Sequence, residues 1–251
     1  MKHYLRIITI NLCNEQPGRK TILLNKWIKI LSKIKGDVLF MQEVRAFNLE
    51  KITHELGMKL LNINNLEGTC VLINPYKLNI IDNNHVNLKS EKTKIYIGNI
   101  HLDDIPSISH HLCDVPYKSS VNVPLTYSLD QLLKLSAKRR LPRIKQEMEN
   151  SNSSTRAIIA GDFNEPSHLD IGIPVTISQE IKKHGFVDTY RQYNATEHGY
   201  TWPAGTLYQK EPSQRVDMIY TKNLKVVSSQ TYDERNKWIS DHKMVITDLI
   251  L

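Results

Sequence analysis

Three apolar, β-branched runs in this chain each stop on a charged or polar group, and that restricts what the chain can fold into. Val38-Leu39-Phe40-Met41 precedes Gln42-Glu43, Ile95-Tyr96-Ile97-Gly98-Asn99-Ile100 precedes His101-Leu102-Asp103, and Ala157-Ile158-Ile159-Ala160 precedes Gly161-Asp162-Phe163-Asn164. A buried strand that ends in Asp, Glu, Asn or His sets that group at the rim of a core. Strand ends are rigid, so they suit a site whose groups must hold position. Asp217, inside another apolar run, and Ser240-Asp241-His242 complete the set.

The rest of the chain fits a layered α/β architecture. Leu5 to Asn11 reads as a first strand. Thr21 to Ile34 carries Ile22, Leu23, Trp27, Ile30, Leu31 and Ile34 at helical spacing and ends near Gly36. Leu49 to Leu56, Leu129 to Met148 and Val175 to His184 read as further helices, and Pro142 should kink or divide the second. Thr69 to Asn74, Lys77 to Asp82, Val216 to Thr221, Lys225 to Thr231 and Met244 to Leu249 read as strands. Strands outnumber helices, and the helices fall between groups of strands. That points to two packed sheets with helices outside. No repeat or composition shift divides the chain, so residues 1–251 are expected to form one domain. Asp103 to Thr126 holds three prolines and no period, which predicts a long loop beside His101.

A net charge of +7 suits an anionic partner, or simply a lysine-rich surface that keeps the protein in solution. Three cysteines are too few for a disulfide framework, which favours a reducing compartment. The first residues lack the apolar core of a signal peptide, and no run is long enough to span a bilayer. A cytoplasmic protein is the expectation, with signal-less export as the other route.

These residue types suit hydrolysis of phosphate esters, which requires charge neutralisation, a positioned water and an in-line path. Magnesium-type ions prefer oxygen ligands, and one or two carboxylates suffice. Glu43 and Asp241 are the natural pair, although Glu43 can also be read as a helix-start carboxylate ahead of Arg45. Asp162 and Asn164, two apart in extended chain, would face one pocket. There Asp162 would orient water or share the metal, and Asn164 would donate to a phosphoryl oxygen. Gly-Asp and Asn are equally common in plain turns. His242 suits a general base, and buried Asp217 needs a partner that His242 or Arg215 can supply. His101 would polarise the phosphate or protonate the leaving group, or serve only the structure. Asn11 would touch the metal or phosphate, or close a turn.

The order of these motifs, from Asn11 to His242, resembles the endonuclease/exonuclease/phosphatase superfamily with its deoxyribonuclease-I-like fold. The resemblance implies a four-layered α/β/β/α sandwich and a Mg2+ or Mn2+ cofactor. It implies that Glu43 binds the ion with Asp241 in support and Asn11 alongside. His242 would be the base held by Asp217, and Asp162 and Asn164 would position water and transition-state oxygens. His101 matches the branch with histidine at that place. In some members a glutamate pairs with it, and Glu67 is the best match here. GDFNEPSHLD, with Gly185 to Arg191 and Tyr200-Thr201-Trp202, is similar to a bacterial branch of the superfamily.

The expected substrate is a phosphate ester, with nucleic acid foremost. A phosphoinositide, phospholipid or small nucleotide is the alternative, and an inactive module that binds phosphate polymers is a third. Lys134, Lys138, Arg139, Arg140, Arg143 and Lys145 would track a phosphate backbone or form a solvated helix face. Trp202 and Tyr200 would stack on a base or pack inside. His110, His111, Cys113 and Asp114 superficially suggest zinc, but their spacing fits no common pattern. Oligomeric state is not legible.

Overall fold

The computed structural model describes residues 4–13, 22–44, 48–117, 123–204, 210–234 and 238–251. Two mixed six-stranded sheets pack face to face, with helices covering their outer faces. In chain order the elements are β1 (Tyr4–Asn11), α1 (Ile22–Ile34), β2 (Val38–Gln42), α2 (Leu49–Leu56), β3 (Lys59–Asn64), β4 (Thr69–Ile73), β5 (Leu78–Asp82), β6 (His85–Leu88), β7 (Lys94–His101), α3 (Ile108–Leu112), α4 (Leu129–Ser151), β8 (Arg156–Asp162), α5 (His168–Ile171), α6 (Thr176–Lys183), β9 (Val187–Asp188), α7 (Thr189–Tyr193), β10 (Asp217–Lys222), β11 (Lys225–Tyr232) and β12 (Met244–Ile250). One sheet runs β11-β12-β1-β2-β4-β3 and the other β5-β6-β7-β8-β10-β9.

The apolar runs are continuous because both faces of the central strands are covered. Ile7, Val38, Phe40, Val71, Ile97, Ile158 and Ile219 point between the sheets. Their neighbours Ile8, Ile10, Leu39, Met41 and Leu72 point outward against Trp27, Ile30 and Leu31 of α1. On the other sheet Tyr96, Ile100, Ile159 and Met218 meet Ile144 and Met148 of α4 and Ile177 and Ile181 of α6. Each such side chain contributes about 1.5–3 kcal/mol on burial.

Strand direction decides where the polar ends go. β1 and β2 are parallel, as are β7 and β8, so Asn11, Gln42, His101 and Asp162 all end strands. β12 runs antiparallel to β1 and β10 to β8, so the segment before Met244 and the first residue of β10, Asp217, lie at that same end.

Several local expectations change. The stretch from Asp103 to Thr126 is not loop throughout: α3 occupies Ile108–Leu112, and residues 118–122 lie outside the described part. α4 runs unbroken through Pro142. That proline is exposed, so water can serve the carbonyl its missing N–H leaves behind. β3, β6, α5 and α7 were not expected. Three of the basic residues of α4 are engaged within the protein. Arg140 is fully buried against Glu165, Arg143 pairs with Glu67 and Glu147, and Arg139 pairs with Asp103. Among the described residues, no helix is long and apolar enough to cross a membrane.

Arg215 is the other buried cation. It reaches Asp170 at 3.0 Å and Asp188 at 2.5 Å, tying α5 to β9. Replacing it would leave the buried Asp188 carboxylate without its counter-charge and Asp170 with Arg191 alone. Arg215→Met is expected to destabilise the fold by about 3–5 kcal/mol, read as a lower urea midpoint at unchanged slope.

Candidate active site

Asn11 ends β1 with its side chain buried at the junction of the two sheets. Its Nδ2 donates to Glu43 Oε1 at 3.2 Å and to Asp162 Oδ2 at 3.1 Å. Its Oδ1 accepts from the Cys13 amide at 3.0 Å. One amide therefore holds a carboxylate from each sheet. Glu43 follows β2 with φ 57°, and Asn164 follows β8 with φ 51°. Such left-handed residues cost of order 1 kcal/mol each and persist only where their surroundings fix them.

Gly161 is dictated by space. A Cβ there would run into the Ile100 carbonyl on the neighbouring strand, so β8 can pass β7 only as glycine at this point. The Asp162-Phe163-Asn164 segment then turns. Asp162 Oδ1 accepts the Asn164 amide at 2.8 Å, and Asn164 Nδ2 donates to the Leu102 carbonyl at 2.8 Å. Both residues do line one cavity, but through this turn rather than the alternation of an extended strand. Turn and site coincide here.

His242 is buried and clamped. Its Nδ1 lies 2.8 Å from Asp217 Oδ2, and its Nε2 lies 3.7 Å from Asp162 Oδ2. Arg215 is occupied elsewhere, so the partner of Asp217 is the histidine. Ser240 Oγ donates to the Asn11 carbonyl at 2.7 Å and accepts the His242 amide at 3.0 Å. Thr201 Oγ1 accepts the amides of Val216 and Asp217 at 3.0 and 3.1 Å. Ser240 belonged to a visible motif, whereas nothing in the sequence singled out a role for Thr201.

A cavity of about 650 Å³ opens above these groups. It is lined by Asn11, Glu43, His101, Asp162, Asn164, Trp202, Asp241 and His242, so the candidate residues converge except Asp217, which stands behind His242. Cys13, Glu67, Asp103, Asp104, Ser107, Tyr117, Glu211 and Gln214 also line it, and sequence reasoning gave most of them no place in the site. The Trp202 indole donates to Asp241 Oδ2 at 3.4 Å and its ring packs near His110.

His101 ends β7 in register with Asp162. Glu67 does meet it, but through the main chain: His101 Nδ1 lies 3.0 Å from the Glu67 carbonyl, while the Glu67 carboxylate turns to Arg143 at 2.6 Å. The zinc-like group does not assemble. His110 bonds Ser107 and Glu211, and His111 bonds the Tyr127 carbonyl.

The electrostatics of the cavity have one sign. Its described lining includes Glu43, Glu67, Asp103, Asp104, Asp162, Glu211 and Asp241, with no lysine or arginine among them. Burial, then Asp241 and Glu43, push the Cys13 thiol up to about 12. Burial, then Asp104, Asp162 and Asp241, raise the Tyr117 phenol. Burial alone would lower the His242 pKa, yet Asp217, Asp162 and Asp241 hold it well above the usual imidazole range. A cluster of carboxylate and amide oxygens, with no lysine or arginine in the described cavity lining, fits a hard divalent cation. Glu43, Asp241 and Asn11 would hold it. The separate group of Asp162, Asp217 and His242, whose ligand atoms lie within 4.8 Å of one another, is a hydrogen-bonded dyad with a third carboxylate beside it.

A family model described as Endonuclease/Exonuclease/phosphatase family matches residues 8–242. No curated protein sequence matches the chain significantly. Among solved structures, humanized D. rerio TDP2 carrying 14 mutations is similar at a TM-score of 0.67 and 14% identity, covering 98% of each chain. A functionally unknown conserved protein from Enterococcus faecalis V583 is similar at 0.67 and 16%, covering 98% of this chain and 99% of that one. D. rerio TDP2 complexed with single strand DNA product is similar at 0.63 and 14%, covering 98% of each. At such identities the likeness establishes the fold.

Ser240 offers a direct check on how the site is held. Ser240→Ala leaves the Asn11 carbonyl without its hydroxyl donor and the His242 amide without its acceptor. The expected loss is about 1–3 kcal/mol of stability, measured by urea unfolding. A change below about 0.5 kcal/mol would show that the bridge does not matter.

Proposed function

The chain belongs to the endonuclease/exonuclease/phosphatase family, and from that premise we propose that it is a divalent-cation-dependent phosphodiesterase with nucleic acid as its leading substrate class. The convergence of Glu43, Asp162, Asp241, His101 and His242 on one acidic cavity carries this reading. Mg2+ or Mn2+ at Glu43 and Asp241, beside Asn11, would neutralise phosphate charge and stabilise the leaving oxygen. With part of the carboxylate charge offset by the ion, His242 would be neutral and its Nε2 would take the proton of the attacking water. Asp217 on Nδ1 keeps the ring oriented and stabilises its charged form. Asp162, 3.7 Å from that Nε2, orients the water. Asn164 donates to a phosphoryl oxygen, and one of its N–H groups is already spent on Leu102. His101 stands across the cavity as donor to the phosphate or the leaving group. Trp202 offers an aromatic edge to what the phosphate carries.

The nucleic-acid preference draws on the family name, on the DNA product held by D. rerio TDP2, and on the net charge of +7. One observation favours a second reading, the same chemistry on a phosphoinositide, phospholipid or small nucleotide. The described lining has no cation to follow a second phosphate along a strand. An inactive phosphate-binding module is disfavoured, because no member of the candidate set is missing.

The test is hydrolysis of bis-p-nitrophenyl phosphate, plasmid DNA and RNA with Mg2+ or Mn2+, with and without chelator. Wild type should cleave in a metal-dependent way, and His242→Ala should lose about 10²–10⁴-fold in kcat. Activity indifferent to chelator or to His242→Ala would contradict the mechanism. Intact DNA and RNA alongside released lipid headgroups would overturn the substrate choice alone.

A further inference from the structure

Within the basic run on α4, Arg143 reaches the Glu67 that lines the cavity. Resting on the phosphodiesterase reading for its kinetic arm alone, we propose that Arg143 is a positioning residue: by holding the Glu67 carboxylate away, it makes a main-chain carbonyl the partner of His101.

His101 Nδ1 is 3.0 Å from the Glu67 carbonyl. A carbonyl only accepts, so Nδ1 carries the hydrogen and donates it. Glu67 sits in the turn between β3 and β4, next to Leu66, which is 89% exposed. The turn has its own ties: Asn64 Oδ1 accepts the Leu66 and Glu67 amides, and the Gly68 carbonyl accepts the Val44 amide. None of these fixes the carboxylate. Arg143 does, with Nε 2.6 Å from Oε1 and Nη2 3.4 Å from Oε2.

The guanidinium is itself immobilised. Nη1 donates to Glu147 and Nη2 to the Asn99 carbonyl at 3.3 Å. Glu147 is buried and accepts the Tyr96 hydroxyl. Gly98 exists in this arrangement for want of room, since a Cβ there would overlap the Glu147 carboxylate. The chain Tyr96–Glu147–Arg143–Glu67–His101 thus runs from the sheet through the helix and the hairpin turn to the cavity. A carboxylate released by Arg143 would lie beside His101 and compete for the same Nδ1 hydrogen. A charged acceptor draws that hydrogen more strongly than a carbonyl does, so the ring would leave its present orientation.

The test is 15N NMR of the His101 ring, with all variants at one pH, together with steady-state kinetics. Wild type should show a single Nδ1–H signal bonded to the carbonyl. Arg143→Met should move that signal as the Glu67 carboxylate takes the hydrogen. It should also lower kcat about 10–100-fold with KM nearly unchanged, the size expected when a supporting partner is lost. Arg143→Lys, which keeps a cation for Glu67, should restore most of both. In a His101→Ala background, Arg143→Met should cost nothing further. An unmoved His101 spectrum in Arg143→Met, or an equal kcat loss without His101, overturns the proposal. Arg143→Gln gives the same readout if Arg143→Met does not fold, and Glu67→Gln, with no carboxylate to release, should leave the His101 signal where it is in wild type; a shift there as large as in Arg143→Met would overturn the proposal. The spectrum is read without turnover. A wild type that hydrolyses no phosphodiester would therefore contradict the proposed function and leave the His101 result standing.

Discussion

One side-chain amide joins the two sheets where their negative charge is densest. Asn11 donates both its hydrogens, one to Glu43 from its own sheet and one to Asp162 from the other. Pairs of like charges this close are unfavourable at any dielectric a protein offers. The amide lessens that cost without cancelling it, because it carries no net charge. The carboxylates around this point raise the pKa values of Cys13, Tyr117 and His242, with burial adding to the first two and opposing the third.

The convergence follows from strand direction. Parallel neighbours β1 and β2 deliver Asn11 and Glu43, and parallel neighbours β7 and β8 deliver His101 and Asp162. Antiparallel β10 and β12 begin where those strands end, so Asp217 and His242 arrive from the opposite direction. Positions separated by more than two hundred residues in the chain become neighbours through sheet pairing, with no long connection spanning the site. Serine and threonine hydroxyls then set the angles: Ser240 ties the His242 segment to β1, and Thr201 ties its loop to β10.

Much of this was legible in the sequence. Strands buried on both faces need uninterrupted apolar residues, so Val38 to Met41 and Ala157 to Ala160 announce themselves, and so do the polar groups that close them. Asp217 inside an apolar run requires a partner, and His242 is that partner. Less regular strands were missed because their pattern is weaker: β3 and β6 lie toward the sheet margins and mix Asn, Lys and His among their apolar residues. Long-range ion pairs were out of reach. Arg140 and Arg143 look like any solvated arginines on a helix, and only the tertiary structure puts Glu165 and Glu67 before them. Glu67 illustrates the limit well. Its place beside His101 could be expected, but not that its carbonyl would make the contact.

Above the strand ends, the walls of the cavity come from connecting segments. Asp103 to Tyr117, with its short helix, and the segment holding Glu211 and Gln214 build the outer lining, and His110 ties them together through Ser107 and Glu211. The central claim is simpler than substrate choice: the strand ends hold a divalent cation through Glu43. Calorimetric titration of the whole protein with Mn2+ tests it most directly. Saturable binding in wild type, weakened about 10–100-fold or more in Glu43→Gln, is the predicted result. No binding in wild type, or equal affinity in Glu43→Gln, would contradict it.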